Sequence, residues 1–303
     1  PARVEPLYHL IRYYREHKQF DVGYLFAESA IQTPIPDDIL FIHKDFYDWR
    51  VKDEASLCAY YSGRHKEAER WSQDIEGIVP RQEYLRVKKN RMWIRRQINK
   101  KQSWNNRTVI GLGTGRCGTV SLRVLLNLQP FVFATHEGHL LPWESDTASM
   151  SEALESIQKV GFEFSGDVGF YWLPYVPQLV KKEPDVKFVC LKRDKQETVA
   201  SYMTWTQNKN HWSKNPSSQW VSDRYDECYP KYDLDKQPGL EQYYDDYYAQ
   251  AESFQEQFSH NFKVFPIDTL NSQSGQNSIL EFVGIPDCER RTSENLYFNC
   301  CLT

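Results

Sequence analysis

The sequence predicts an α/β fold, a parallel sheet with flanking helices, preceded by a small all-α region. Three observations point there. From residue 107 onward, short apolar runs alternate with helix-period segments, the pattern of strand–helix–strand units. One of those runs leads into a glycine-rich corner, Gly113-Thr114-Gly115-Arg116-Cys117-Gly118. The residues before 80 instead space their apolar side chains as helices do. The expected division is helical hairpins over 1–79, a basic helix or linker over 80–106, the α/β domain over 107–290 and a tail over 291–303.

In the N-terminal region, Leu7 to Tyr14 and Phe20 to Ile31 read as two helices around the polar turn Glu16 to Gln19, closed by Pro34 and Pro36. The pattern returns at Ala55 to Tyr61, turns at Ser62-Gly63-Arg64-His65 and resumes at Glu67 to Trp71. Aligning Gly23 with Ala68 and Phe26 with Trp71 gives an offset longer than the usual repeat of about 34 residues. The region therefore resembles two tetratricopeptide-like hairpins with an insertion. Such repeats serve as partner surfaces, so a protein partner is one expectation here; a helical appendage on the second domain is the plainer one. From Arg81 to Lys101, Arg86, Lys88, Lys89, Arg91, Arg95, Arg96, Lys100 and Lys101 crowd among Tyr84, Trp93 and Trp104. A solvated face is expected there rather than a nucleic-acid site.

Strand candidates follow at Val109–Leu112, Phe131–Ala134, Phe162–Phe164, Phe188–Leu191 and Phe262–Phe265. In parallel sheets of this kind, ligands gather at the carboxyl ends of the strands. After the first strand, Gly113, Gly115 and Gly118 let the backbone turn tightly around an anion. Thr119 and Ser121 add hydroxyls, Arg116 adds charge, and a helix start aims unpaired N–H groups at the same point. Thr114, Cys117 and Val120 complete the candidate anion loop. The ATP-binding loop G-x-x-x-x-G-K-[ST] has lysine where this chain has Thr119, and a metal-binding hydroxyl where it has Val120. A kinase-like nucleotide-binding protein is thereby disfavoured.

A second corner follows the run Val186 to Leu191, where Lys192-Arg193-Asp194 opens a helix through Glu197 and Met203. Arg193 and Ser201 lie eight residues apart across it. With both corners in this order, the stretch from Arg107 to Ile285 resembles the sulfotransferase family. The resemblance implies a P-loop-like fold and 3′-phosphoadenosine-5′-phosphosulfate as sulfuryl donor, with 3′-phosphoadenosine 5′-phosphate as product. It implies that the loop from Gly113 to Ser121 holds the 5′-phosphosulfate and that Arg193 and Ser201 hold the 3′-phosphate. Many cytosolic members carry lysine where Arg116 stands; arginine retains the charge but cannot give its proton to the leaving oxygen. The family's later arginine-lysine-glycine signature is missing, and Arg290-Arg291 is the nearest substitute.

In-line sulfuryl transfer needs a base for the acceptor hydroxyl. His136 and Glu137 stand side by side after the second strand candidate, a place the family fills with histidine in some branches and glutamate in others. Glu137 is slightly favoured, because a carboxylate desolvated in a cleft gains proton affinity. Both remain open, as does a purely structural hydrogen-bonding role. His136-Glu137-Gly138-His139 lacks the H-E-x-x-H spacing of a zinc helix, so no metal is expected. Asp167 could orient the base or the acceptor, with capping of the next helix the commoner fate. The insert Gln207 to Gly239, with Trp212, Trp220 and Tyr225, reads as a lid or acceptor loop, or as a disordered excursion.

Composition sets the outer bounds. The formal net charge of −4, from 37 basic and 41 acidic residues, argues against nucleic acid as partner. No apolar run is long enough to span a membrane. Seven cysteines without a C-x-x-C pair suggest a reducing, cytoplasmic setting. The chain starts at Pro1 without methionine, so a removed leader or a longer parent polypeptide stays open. The function expected is sulfuryl transfer to a hydroxyl acceptor, carbohydrate-like by preference because tryptophans of the insert could stack on sugar rings. An inert adaptor using the helical repeats is the alternative; it would be marked by lost donor groups, yet Arg116, Thr119, Arg193 and Ser201 are all present.

Overall fold

The computed structural model describes residues 3–37, 42–98, 106–144, 146–214, 223–294 and 296. Trp104, Lys100, Lys101, Trp220 and the tail from 297 lie outside them. The chain divides into two compact units, Pro1–Trp104 and Asn105–Thr303.

In the first unit, α1 (Glu5–Glu16) and α2 (Phe20–Gln32) form one helical hairpin, and α3 (Val51–Tyr61) and α4 (His65–Ile75) a second. A π-helical turn, Phe46–Arg50, leads into α3. Leu7, Ile11, Ala27, Ala55, Cys58, Ala68 and Trp71 share one interior, and the helical spacing seen in the sequence is what lines them up. A side chain at Gly23 would run into the Cys58 sulfur, so glycine lets α2 and α3 approach closely. The basic stretch forms α5 (Arg81–Ile98), and the expectation of a solvated face is corrected. Lys88 and Arg91 are buried, and Arg91 pairs with Glu76, Arg95 with Glu69 at 2.8 Å and Arg86 with Asp53 at 2.7 Å. Glu69 and Glu76 accompany Arg91 inward, whereas Arg86 stays exposed.

The second unit is a five-stranded, all-parallel sheet: β1 (Arg107–Leu112), β2 (Val132–His136), β3 (Phe164–Val168), β4 (Lys187–Lys192) and β5 (Phe262–Pro266), in the order β2-β3-β1-β4-β5. Strand alternation splits the core in two. Ile110, Leu112, Phe188 and Cys190 face α7 (Thr147–Lys159), α8 (Val176–Lys182) and α10 (Lys236–Gln257). Val109, Val189 and Leu191 face α6 (Thr119–Leu128) and α11 (Gln273–Val283). The expected α/β class is thus what the chain adopts, with α9 (Lys195–Thr206) following β4.

Two local expectations are corrected. The third strand does not end at Phe164; it begins there and continues through Ser165, Gly166 and Asp167. That polar run stays in strand because β1 and β2 pair with it on both sides. Gly239, taken as the end of the insert, lies inside α10.

The order of strands matters for the site. The chain leaves β1 through α6 toward the β2 edge, whereas it leaves β4 toward β5 on the opposite side. Neighbouring strands whose connections part in this way open a crevice at their carboxyl ends. The two glycine- and arginine-bearing corners are the loops that follow β1 and β4.

Candidate active site

The loop from Gly113 to Gly118 joins β1 to α6. Gly113 and Gly115 hold φ angles of 143° and 89°, and a side chain at Gly115 would collide with the Tyr202 hydroxyl. Arg116, exposed at the crest, takes φ 56° without being glycine, a conformation that costs about 1–3 kcal/mol and recurs at ligand sites. Gly118, at φ 89°, starts α6 with no side-chain cap, leaving the first helical N–H groups and the positive dipole end for an anion. Thr114 and Cys117 are buried; the Thr114 hydroxyl donates to the Gly115 carbonyl at 3.1 Å, and burial pushes the Cys117 thiol up. Those two can meet a ligand only through their backbone. Thr119 and Ser121 lie in the first turn of α6, with Val120 between them half-buried.

The corner after β4 meets this loop. Arg193 donates from Nη1 to the Arg116 carbonyl at 3.1 Å, and Arg116 donates from Nε to the Ser201 hydroxyl at 3.0 Å. Arg193 also pairs with Glu197 at 2.9 Å. Three residues singled out by sequence, Arg116, Arg193 and Ser201, are therefore one hydrogen-bonded cluster between β1 and β4. Trp205, one turn past Ser201 and exposed, lies with its ring 5.8 Å from the Arg116 guanidinium. Arg290 is engaged elsewhere, donating to the Ile285 carbonyl at 2.8 Å and pairing with Asp287.

His136 and Glu137 diverge at the end of β2. His136 Nε2 lies 3.0 Å from the Thr119 hydroxyl, and burial holds its imidazole below the ordinary histidine value despite the opposing pull of Glu137 and Asp167. Glu137 turns away with φ 51° and accepts a hydrogen bond from the Tyr225 phenol at 3.0 Å. Burial first, then the Glu137 charge, push that phenol up, so it stays a donor.

Asp167 caps no helix, which corrects the expected fate. Buried inside β3, its carboxylate accepts from Thr135 Oγ1 at 2.6 Å, Gly138 N at 3.2 Å, the Tyr171 hydroxyl at 2.6 Å and Trp172 Nε1 at 2.9 Å. Thr135 and Gly138 flank His136 and Glu137, so one carboxylate braces both ends of the turn that presents them.

The insert after α9 is partly a core element: Trp212 is fully buried and offers no stacking surface. His211, Asp223 and Asp226 gather closely enough to suit a metal ion by residue type. Their oxygens are already occupied: Lys209 sits 2.6 Å from Asp223, the Tyr225 N–H donates to Asp223, and His211 Nδ1 lies 2.6 Å from Asp226. The cluster acts as a clasp on the segment carrying Tyr225. A groove of about 770 Å³ belongs to the first unit and is lined by paired charges, including Arg15 with Glu54 and Arg86 with Asp53; it contains none of the candidate residues.

The model of the sulfotransferase domain matches residues 108–263, more than half of the chain. The chain belongs to the sulfotransferase domain family. No curated protein matches it in a sequence comparison. The family's activity is sulfuryl transfer, and both corners and the His136-Glu137 turn fall inside the matched span. No helix among the described residues is long and apolar enough to cross a membrane. The sequence pattern did not single out the tyrosines behind the site. Tyr202 and Tyr243 both donate to the Thr114 carbonyl, at 2.5 and 3.1 Å, and the doublets Tyr243-Tyr244 and Tyr247-Tyr248, one helical turn apart, were the available signal.

Proposed function

We propose that this sulfotransferase takes its sulfuryl group from 3′-phosphoadenosine-5′-phosphosulfate and passes it to a hydroxyl acceptor, with a carbohydrate as the first class to test. The observation that carries the donor assignment is the Arg193–Arg116–Ser201 cluster. It joins a loop suited to a 5′-phosphosulfate with an arginine-serine pair suited to a 3′-phosphate, across the crevice between β1 and β4. The loop N–H groups and Arg116 hold the bridging and terminal oxygens, and Arg193 and Ser201 would each give up a contact with Arg116 for the 3′-phosphate.

His136 serves as base. Its Nε2 is beside Thr119 at the start of α6, where a loop-bound sulfuryl group would lie, and its lowered pKa keeps the lone pair available near neutral pH. Those two features support His136 over Glu137, the residue slightly favoured by sequence. In the reacting step His136 takes the acceptor's hydroxyl proton, and the acceptor oxygen bonds to sulfur. The bond from sulfur to the 5′-phosphate oxygen breaks with its electron pair staying on that oxygen. Arg116 and the loop N–H groups stabilise the charge that gathers there without transferring a proton. Glu137 and Tyr225 face the acceptor side and hydrogen-bond its neighbouring hydroxyls.

Incubation with donor labelled on the sulfuryl group and a panel of sugar, phenol, peptide and lipid hydroxyls tests the assignment. Label is expected on at least one hydroxyl class, in amounts that fall when unlabelled 3′-phosphoadenosine 5′-phosphate is added. Transfer that this nucleotide does not inhibit would contradict the donor assignment.

A further inference from the structure

Four tyrosines of α10, at 243, 244, 247 and 248, project from one edge of the helix, because positions four apart share a face and adjacent ones flank it. Every one of their hydroxyls ends on backbone of the donor corners or of the turn after β3. Tyr243 donates to the Thr114 carbonyl at 3.1 Å; Tyr247 accepts from the Gly113 N–H at 3.0 Å and donates to the Phe170 carbonyl at 3.2 Å; Tyr248 donates to the Leu191 carbonyl at 2.8 Å. These three serve the loop after β1 and the end of β4. Tyr244 alone reaches the second corner, donating to the carbonyl of Arg193 at 2.5 Å.

We propose that Tyr244 is a positioning residue for the 3′-phosphate: it fixes the backbone of Arg193 so that the guanidinium faces the crevice at a set distance from the loop. The inference rests on the donor assignment above. One rigid helix holds both corners, so the spacing between the sites for the two ends of the nucleotide is built into α10. The Arg193 carbonyl is tied to Tyr244 while its side chain spans Arg116 and Glu197. Burial pushes the Tyr244 phenol up to about 12, which keeps its hydroxyl a donor at neutral pH.

Tyr244→Phe removes one oxygen and keeps the ring. Calorimetric titration of the intact protein with 3′-phosphoadenosine 5′-phosphate and with adenosine 5′-phosphate is the test. The variant is expected to lose about three- to tenfold in affinity for the first nucleotide, the effect of one hydrogen bond, and to keep its affinity for the second. Tyr248→Phe, whose partner is Leu191, is expected to affect both nucleotides alike. Adding Tyr244→Phe to Arg193→Ala should cost nothing further, because the tyrosine acts through that arginine. Unchanged affinity in Tyr244→Phe, equal loss for both nucleotides, or additive losses in the double variant would each overturn the assignment. A wild-type protein that fails to prefer the 3′-phosphorylated nucleotide would instead remove the donor assignment beneath it.

Discussion

His136 is the side chain on which turnover is expected to depend most. His136→Asn should lower kcat by about a hundredfold or more, the usual contribution of a positioned base, while leaving the affinity for 3′-phosphoadenosine 5′-phosphate within about twofold, a margin below one hydrogen bond's effect. Burial lowers the imidazole's pKa, so the neutral, base-competent form persists to lower pH than in a free histidine. The acid limb of kcat/KM is therefore expected below the ordinary value of about 6.5 and should vanish in His136→Asn. The sign for stability agrees: the folded chain binds this proton less readily than the unfolded chain. The contribution of His136 is thus present above about pH 6.5 and is lost as pH falls. A limb that persists in the variant would move the role to Glu137. Legibility at this scale was uneven. Arg116, Arg193 and Ser201 were readable as a charged and hydroxyl-bearing set at two strand ends, whereas for the base the sequence slightly favoured Glu137, and the φ of Glu137 and the Thr119 contact that support the proposal of His136 leave no local signal.

Among the elements, β3 departs furthest from the sequence expectation. Ser165-Gly166-Asp167 falls beyond the expected strand Phe162–Phe164 because polar residues and glycine are poor strand formers, yet it is the centre of a strand paired on both sides. What the sequence could not display was the set of four donors that satisfies the buried carboxylate, since they come from β2, the turn after it and the helix after β3. Asp167→Asn places an amide NH₂ against a donor and should destabilise the protein by about 2 kcal/mol or more, measured by urea denaturation. Turnover should fall as well, because Thr135 and Gly138 lose their common anchor. A variant as stable and as active as the parent would show that the brace is dispensable. The sequence did not single out the tyrosine edge of α10, nor could it display its targets: hydroxyl-to-carbonyl bonds across 129 and 77 residues of chain leave no local pattern.

At the scale of the whole molecule, the sheet order explains why two sequence-distant corners can serve one ligand. Strand–helix alternation made the parallel sheet readable, and the two corners could be assigned to strand ends without knowing the order of strands. The order itself, with β1 beside β4 and the connections parting there, depends on which apolar faces the helices cover and could not be read from any one segment. In the first unit, the helical hairpins were visible in apolar spacing, while the burial of Arg91 depended on the acidic partners Glu69 and Glu76, distant in sequence. A nucleotide that bridges both corners stabilises the folded protein by mass action, by about 2.7 kcal/mol at a hundred times its Kd. The most direct measurement is calorimetric titration of the wild-type chain with 3′-phosphoadenosine 5′-phosphate, repeated with adenosine 5′-phosphate and with Arg193→Ala. The expected result is one site per chain, tighter for the 3′-phosphorylated nucleotide, with that preference lost in Arg193→Ala. A folded protein that gives no heat, or that binds both nucleotides equally well, would contradict the claim that the two corners hold one donor.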